Sequence, residues 1–182
     1  MRIIAGKYGG RTFQSPRTYN THPMSDKIRG AIFNMLGDID GLTVLDAFAG
    51  SGAIGFEAIS RGAQHATLVE LDKDAFMTIK KNIQSLGLEE SASVVRANIK
   101  GWSNNHLGDA FDIVVCDPPY DTVLELLLHR ISRHVNDTGT MVVSWPTHEP
   151  VPQIPDMELL RHKMYGRATL CVYHHINTSV DG

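Results

Sequence analysis

Two cysteines in 182 residues are too few for a disulfide framework. Cys116 and Cys171 both fall in stretches that read as core strands, where a thiol serves as a small apolar side chain. No run approaches the roughly 18 apolar residues a membrane-spanning helix needs. Met1 to Lys7 holds only a short apolar run, unlike a secretory signal, so a cytoplasmic protein is expected and the Asn177-Thr178-Ser179 sequon is read as inconsequential. Repeats and low-complexity tracts are lacking too. The nine histidines are scattered, and His174-His175 has no companions at ligand spacing, so no metal site is expected.

What is present suffices for one substantial core: 42% of the residues are hydrophobic and 20% charged. The net charge of −3 argues against a nucleic-acid partner until its distribution is considered. Residues 1–30 carry Arg2, Lys7, Arg11, Arg17, Lys27 and Arg29 against Asp26 alone, a balance of +5, whereas the remainder stands at −8. A basic segment on an acidic body is either a solvated face or a surface that contacts phosphates.

Ile3–Ala5 and Arg11–Phe13 flank a glycine-containing stretch and suggest a small hairpin. Ser25 is a plausible cap for a helix whose apolar positions are Ile28, Ile32, Met35 and Leu36, and Gly37 ends it. From residue 42 strands and helices alternate. Strands are expected at Thr43–Phe48, Ala66–Leu71, Ser93–Ala97, Asp112–Cys116 and Thr140–Trp145, and helices at Ile54–Ser60, Ala75–Leu86 and Val123–Val135. That rhythm implies right-handed crossovers and a parallel sheet covered on both faces. Met157–His162 and Ala168–Tyr173 break it, because the five residues between them cannot form a crossover helix; the last strand therefore runs antiparallel. Trp102, Asn104 and Asn105 read as a surface loop or, alternatively, part of a ligand pocket, and Leu124–Leu128 reads as core.

The first strand runs into "LDAFAGSGAIGFEAISRG", in which Gly50, Gly52 and Gly55 match G-x-G-x-x-G between a strand and a helix. Glu70 ends the second strand about twenty residues on. Glycines permit a tight turn and close ligand approach, and an acid at that place can accept hydrogen bonds from ribose hydroxyls. Fewer than forty residues follow Trp145, which leaves no room for the substrate domain of a dehydrogenase.

The fourth strand ends in "DPPY", Asp117 to Tyr120. Consecutive prolines fix their own φ angles and restrict the residues before them, so this tetrapeptide is stiff and extended with carbonyls turned into the cleft. Its place is the carboxyl edge of the sheet beside the first strand, where open parallel sheets bind ligands.

"DAFAGSGAIG" resembles the cofactor loop of S-adenosylmethionine-dependent methyltransferases, and "DPPY" resembles the tetrapeptide of enzymes that methylate planar exocyclic amines. With "MRIIAGKYGGRTF" and "THPMSDKIRGAIFNML", the chain is similar over nearly its whole length to the RsmD-type ribosomal RNA guanine-N2 methyltransferases. The resemblance implies a Rossmann-like class I α/β fold, a seven-stranded mixed sheet of order 3-2-1-4-5-7-6 over residues 39–182, and a basic hairpin-and-helix extension over residues 1–38. It implies S-adenosylmethionine as cofactor, S-adenosylhomocysteine as product, and cofactor contacts from Asp46, Phe48, Ala49, Gly50, Ser51, Gly52, Glu70, Leu71, Asn98, Ile99 and Asp117. Asp117 and the Pro118 carbonyl would accept hydrogen bonds from the amine, Pro119 would stiffen the turn, and the Tyr120 ring would stack on the base. The implied substrate is a guanine of 16S ribosomal RNA in a small-subunit assembly intermediate, contacted by Arg2, Lys7, Arg11, Arg17, His22, Lys27 and Arg29 of a monomer.

Several positions depart from the family pattern, among them "VSWPTHEP" in place of a simpler, acid-bearing strand ending. His22 stands where an arginine is usual, Gly30 where an acid is usual, and Asn98 where an acid commonly meets the adenine amine. DNA adenine-N6 methylation uses the same tetrapeptide and is a rival reading, opposed by the lack of a target-recognition domain. A non-catalytic RNA-binding assembly factor is the reading from another class.

Overall fold

Side-chain caps set where three of the helices begin. Ser25 accepts from the Ile28 amide at 3.3 Å, Asp72 from Ala75 at 2.8 Å, and Asn98 from Lys100 at 2.9 Å; each satisfies an otherwise orphaned first-turn donor. Gly37 (φ 79°) and Gly87 (φ 70°) stop two of these helices in a backbone conformation that favours glycine. The computed structural model describes residues 1–17, 24–119 and 125–176; Tyr120 and His22 lie outside the described residues. The elements are α1 (Asp26–Leu36), β1 (Thr43–Asp46), α2 (Ala53–Ser60), β2 (His65–Glu70), α3 (Lys73–Leu86), β3 (Ala92–Arg96), α4 (Ile99–Asn105), β4 (Phe111–Cys116), α5 (Glu125–Ser132), β5 (Val135–Pro146), β6 (Met157–Tyr165) and β7 (Ala168–His175).

The sheet has seven strands in the order β3-β2-β1-β4-β5-β7-β6, as the resemblance implies. The first five are mutually parallel, and β7 runs antiparallel to both β5 and β6. Alternate strand residues feed two cores. Val44, Leu68, Val115, Val142 and Leu170 face α1, α2 and α3, while Leu45, Val69, Val114, Val143 and Cys171 face α4 and α5. Both cysteines are fully buried and unbridged.

Residues 1–13 are folded onto the body formed by the sheet and its helices. Their hairpin holds one β-bridge, Arg2 to Thr12, and inserts Ile3 and Phe13 into the core shared with α1, α2 and β1. It is tied to α2 through Glu57, which accepts from the amides of Ile4 (2.7 Å) and Ala5 (3.1 Å), and through Ser60, whose carbonyl accepts from the Lys7 amide at 2.7 Å. A Cβ on Gly6 would lie 1.8 Å from that carbonyl, so only glycine allows the approach.

Two expectations are corrected. The stretch around Trp102 is helix α4, and Trp102 is 3% exposed, packed against Phe111 and His134; seven residues are too few to show a helical period. Within the leucine run, Leu128 is buried but Leu126 is 82% exposed. Successive helical residues point about 100° apart, so a continuous run cannot all face inward.

Candidate active site

The chain passes from β1 to β2 and β3 on one side and places β4 and β5 on the other, so a crevice opens between the carboxyl ends of β1 and β4. Asp46 and Asp117 both lie there. Asp46 is opposite Val115 in the parallel register, and the Ala47 amide still donates to the Val115 carbonyl at 3.0 Å. Asp117, two residues past Val115, projects to the same face.

Asp46 is fully buried, and neither carboxylate oxygen has a hydrogen-bond partner. Burial, then the negative charges of Asp117 and Glu70, push its pKa up to about 7; the nearby amides of Gly55 and Phe48 temper the rise without making a hydrogen bond of normal geometry. A buried acceptor without a donor is costly, and an ammonium group at this place would relieve it. Glu70 accepts from the amides of Gly50 (2.6 Å) and Asp72 (2.7 Å), and its oxygens retain lone pairs for hydroxyl donors.

The three glycines have distinct duties. A Cβ on Gly50 (φ 54°) would meet nothing nearer than 4.0 Å, so this turn faces open space. On Gly52 (φ 79°) it would strike the Phe56 ring at 2.8 Å, and on Gly55 the Leu68 side chain at 2.9 Å. The first leaves room for a ligand; the others allow the turn and the seating of α2 on β2. Phe48 and Ser51 are half-buried and Ala49 is buried beside them.

Beyond Glu70 the rim consists of Leu71, 61% exposed, exposed Asn98 and buried Ile99. The Ala97 amide donates to the Glu70 carbonyl at 3.0 Å and holds these strand ends together. An exposed leucine beside an acid makes a platform for a flat ring above a hydroxyl-binding carboxylate. Asn98 already caps α4 with its side-chain oxygen, which leaves one lone pair for another donor. The orphaned Asp46 carboxylate, the open Gly50 turn and the Glu70–Leu71 rim fit a nucleoside that carries an ammonium-bearing tail.

Asp117 is half-buried, Pro118 buried and Pro119 exposed. Burial raises the Asp117 pKa, and a hydrogen bond from Ser144 on β5 opposes the rise. Cys116, immediately before it, has its thiol pushed far up by burial and is no nucleophile.

The basic residues divide. Arg17 and Lys27 are exposed. Lys7 lies over the Tyr8 ring at 5.4 Å, and Arg2 pairs with Asp26 at 3.2 Å while remaining exposed. Arg11 donates to the Leu86 carbonyl at 3.0 Å and anchors the hairpin to the end of α3. Arg29 is the correction: it is fully buried, bonded to Asp26 and the Arg2 carbonyl and paired with Glu57 at 3.6 Å, and it cannot reach a phosphate. Ser144 and Glu57 are the residues sequence reasoning missed. An acid in the otherwise apolar stretch "AIGFEAIS" was a signal for the second; only strand register exposes the first.

A protein family described as conserved hypothetical protein 95 matches residues 1–174. The chain is 32% identical to Ribosomal RNA small subunit methyltransferase D of Escherichia coli strain K12 over 178 residues, covering 95% of this chain and 89% of that protein. It is 33% identical over 182 residues to YlbH of Bacillus subtilis, a candidate rRNA methyltransferase, covering 95% and 98%. The solved structure of the candidate methyltransferase yhhF from Escherichia coli superposes with a TM-score of 0.86 at 31% identity, covering 96% of this chain and 97% of that one.

Proposed function

The chain belongs to the conserved hypothetical protein 95 family, that of ribosomal RNA small subunit methyltransferase D, and from that premise we propose that it methylates the exocyclic N2 amine of a guanine in 16S ribosomal RNA. The methyl donor is S-adenosylmethionine, which supplies an electrophilic methyl group on a sulfonium. The observation that carries the reading is the pairing of the orphaned Asp46 carboxylate with Asp117 at adjacent strand ends.

Asp46 binds and orients the cofactor's ammonium group, the Glu70 carboxylate takes the ribose hydroxyls, and Leu71 and Ile99 support the adenine. The side-chain oxygen of Asn98 accepts from the adenine amine with the lone pair its helix cap leaves free. Phe48, Ala49, Ser51 and Gly52 shape the turn around Gly50.

An aryl amine is a poor nucleophile because its lone pair is delocalised into the ring. Asp117 and the Pro118 carbonyl accept hydrogen bonds from the two amine N–H groups and aim the nitrogen, so that its lone pair would form the N–CH3 bond as the S–CH3 bond breaks and one N–H proton would leave after transfer; Pro119 stiffens the turn, and the Tyr120 ring holds the base. Positioning and electrostatics therefore supply the catalysis, and no covalent intermediate on the protein is required. The base leaves any stack to reach this crevice. Exposed Arg2, Lys7, Arg17 and Lys27, together with Arg11 and His22, contact the RNA backbone, and a cytoplasmic monomer acts on an assembling small subunit.

Incubation with labelled cofactor and unmodified small-subunit particles, followed by digestion to nucleosides, tests the reading. N2-methylguanosine is expected; N6-methyladenine would overturn the substrate assignment, and absence of cofactor binding in calorimetry would overturn the enzyme. Asp117→Ala should lower the turnover number at saturating cofactor at least about a hundredfold; full activity in that variant would remove Asp117 from the chemistry.

A further inference from the structure

A cleft of about 600 Å³ runs between α1 and the edge strand β6, lined by Lys27, Gly30, Asn34, Arg161, Lys163 and Tyr165 among others. Its walls hold three permanent cations in a chain whose net charge is −3. The acid in its lining, Asp26, is already paired with Arg2 at 3.2 Å and Arg29 at 3.0 Å. Arg161, also in the lining, donates to the Met35 carbonyl at the end of α1. Lys27 and Lys163 are exposed, and Lys163 stands 5.6 Å from the centre of the Tyr165 ring.

Sheet register ties this cleft to the site. Lys163 pairs with Leu170, and Leu170 with Ser144; Cys116 pairs with Val143, so Ser144 adjoins Asp117. The four residues form one row across β6, β7, β5 and β4, and directly paired side chains share a face of the sheet. At the usual spacing between strands, Lys163 lies about 14 Å from Asp117. Because β6 runs parallel to β4 through two antiparallel pairings, the Tyr165 end of the cleft opens on the edge that carries the crevice.

We propose that this cleft is the track for the RNA strand that flanks the target base, with phosphates held by Lys27, Arg161 and Lys163. The inference rests on the ribosomal RNA reading above and extends it to a surface distinct from the basic hairpin. Phosphates suit it better than apolar partners, since its exposed lining carries cations, the Asn34 amide and the His162 imidazole beside the half-buried Tyr165 ring, and its acid is neutralised. Gly30 sits inside it with nothing within 4 Å of where its Cβ would be, so the cleft has room for the ligand or for a test side chain.

Binding of protein-free 16S RNA, and in parallel of small-subunit particles, is measured across a series of KCl concentrations for the wild type and four variants. Lys27→Glu/Lys163→Glu should lower affinity at least about tenfold and flatten the log–log salt slope by about 2. Gly30→Glu should weaken binding about tenfold and Gly30→Ala should not, which separates charge from backbone effects. Lys80→Glu/Lys81→Glu on α3 changes net charge equally at exposed sites on another element and should bind as the wild type does. Thermal unfolding and cofactor affinity report integrity in each. Equal losses in the two lysine pairs, no salt-sensitive binding by the wild type, or an effect confined to protein-containing particles would each overturn the track, the last in favour of a protein partner. The nucleoside digest reads the parent hypothesis separately: a wild type that binds RNA through the cleft yet makes no N2-methylguanosine keeps the track and loses the reaction.

Discussion

Asp46 and Asp117 end neighbouring parallel strands on one face of the sheet, and the charge of Asp117 is second only to burial among the causes that lift the Asp46 pKa to about 7. With two acids at adjacent strand ends, one of them without a hydrogen-bond partner, the crevice holds a buried acceptor that a donor would relieve.

The sign of the pH effect follows from that pKa. Between the ordinary carboxylate range and about 7 the folded protein keeps a proton on Asp46 that the unfolded chain has released, so stability of the ligand-free protein falls as pH rises through this window. The full effect is on the order of 4 kcal/mol. Asp46→Asn should therefore raise the melting temperature at pH 8 and leave it nearly unchanged at pH 4. The same substitution should weaken cofactor binding at pH 8 by at least about tenfold, because a charged acceptor has been lost. In the wild type, cofactor affinity should fall as pH drops below 7. Calorimetry in buffers of different ionisation enthalpy would then detect the proton released on binding.

Gly50→Ala and Gly55→Ala should fail in different ways. At Gly50 the added methyl enters open space, with only the cost of a positive φ, about 1 kcal/mol, so the protein folds but binds cofactor weakly. At Gly55 the methyl drives into Leu68, and overpacking costs about 1–3 kcal/mol of stability. Urea unfolding alongside cofactor titration separates the two, and equal stability losses would contradict the division of labour.

Glu57→Ala should detach the N-terminal hairpin. It removes the acceptor of the Ile4 and Ala5 amides and the partner of Arg61 at 2.8 Å, and takes from buried Arg29 one of its two acidic partners, leaving Asp26. Breaking a buried pair from one side costs about 3–5 kcal/mol. Hydrogen exchange at Ile4 and Ala5 should accelerate before the sheet opens; unchanged protection there would mean that the Ser60, Arg11 and core contacts hold the hairpin without Glu57.

The strand and helix alternation was legible because each unit is long enough to show its period, and the antiparallel end because five residues cannot cross over. Caps such as Ser25 and breakers such as Gly37 act locally and could be read locally. Helix α4 was not legible: it is one short element started by Asn98, whose side chain serves the backbone as well as any ligand. Arg29 misled because a charge count cannot see a partner, and its partner Glu57 comes from another element. The isolation of Asp46 depends on closure of the sheet around it, a property of tertiary structure that its neighbours in the chain do not encode.

Ser144 offers the sharpest separation of positioning from structure. It is 2% exposed on β5, in the row that contains Asp117, and its hydrogen bond lowers the pKa that burial raises. Ser144→Ala removes that donor, so the Asp117 pKa rises further and protonation begins at higher pH. A protonated Asp117 has lost acceptor capacity toward the substrate amine, so the acid limb of the kcat profile should move upward in the variant while the activity plateau at high pH largely recovers. Ser144→Thr keeps a hydroxyl and should restore the wild-type limb wherever its extra methyl is accommodated. A residue that merely filled space would lower activity evenly across pH. An unshifted acid limb in Ser144→Ala would therefore show that the hydroxyl does not tune Asp117.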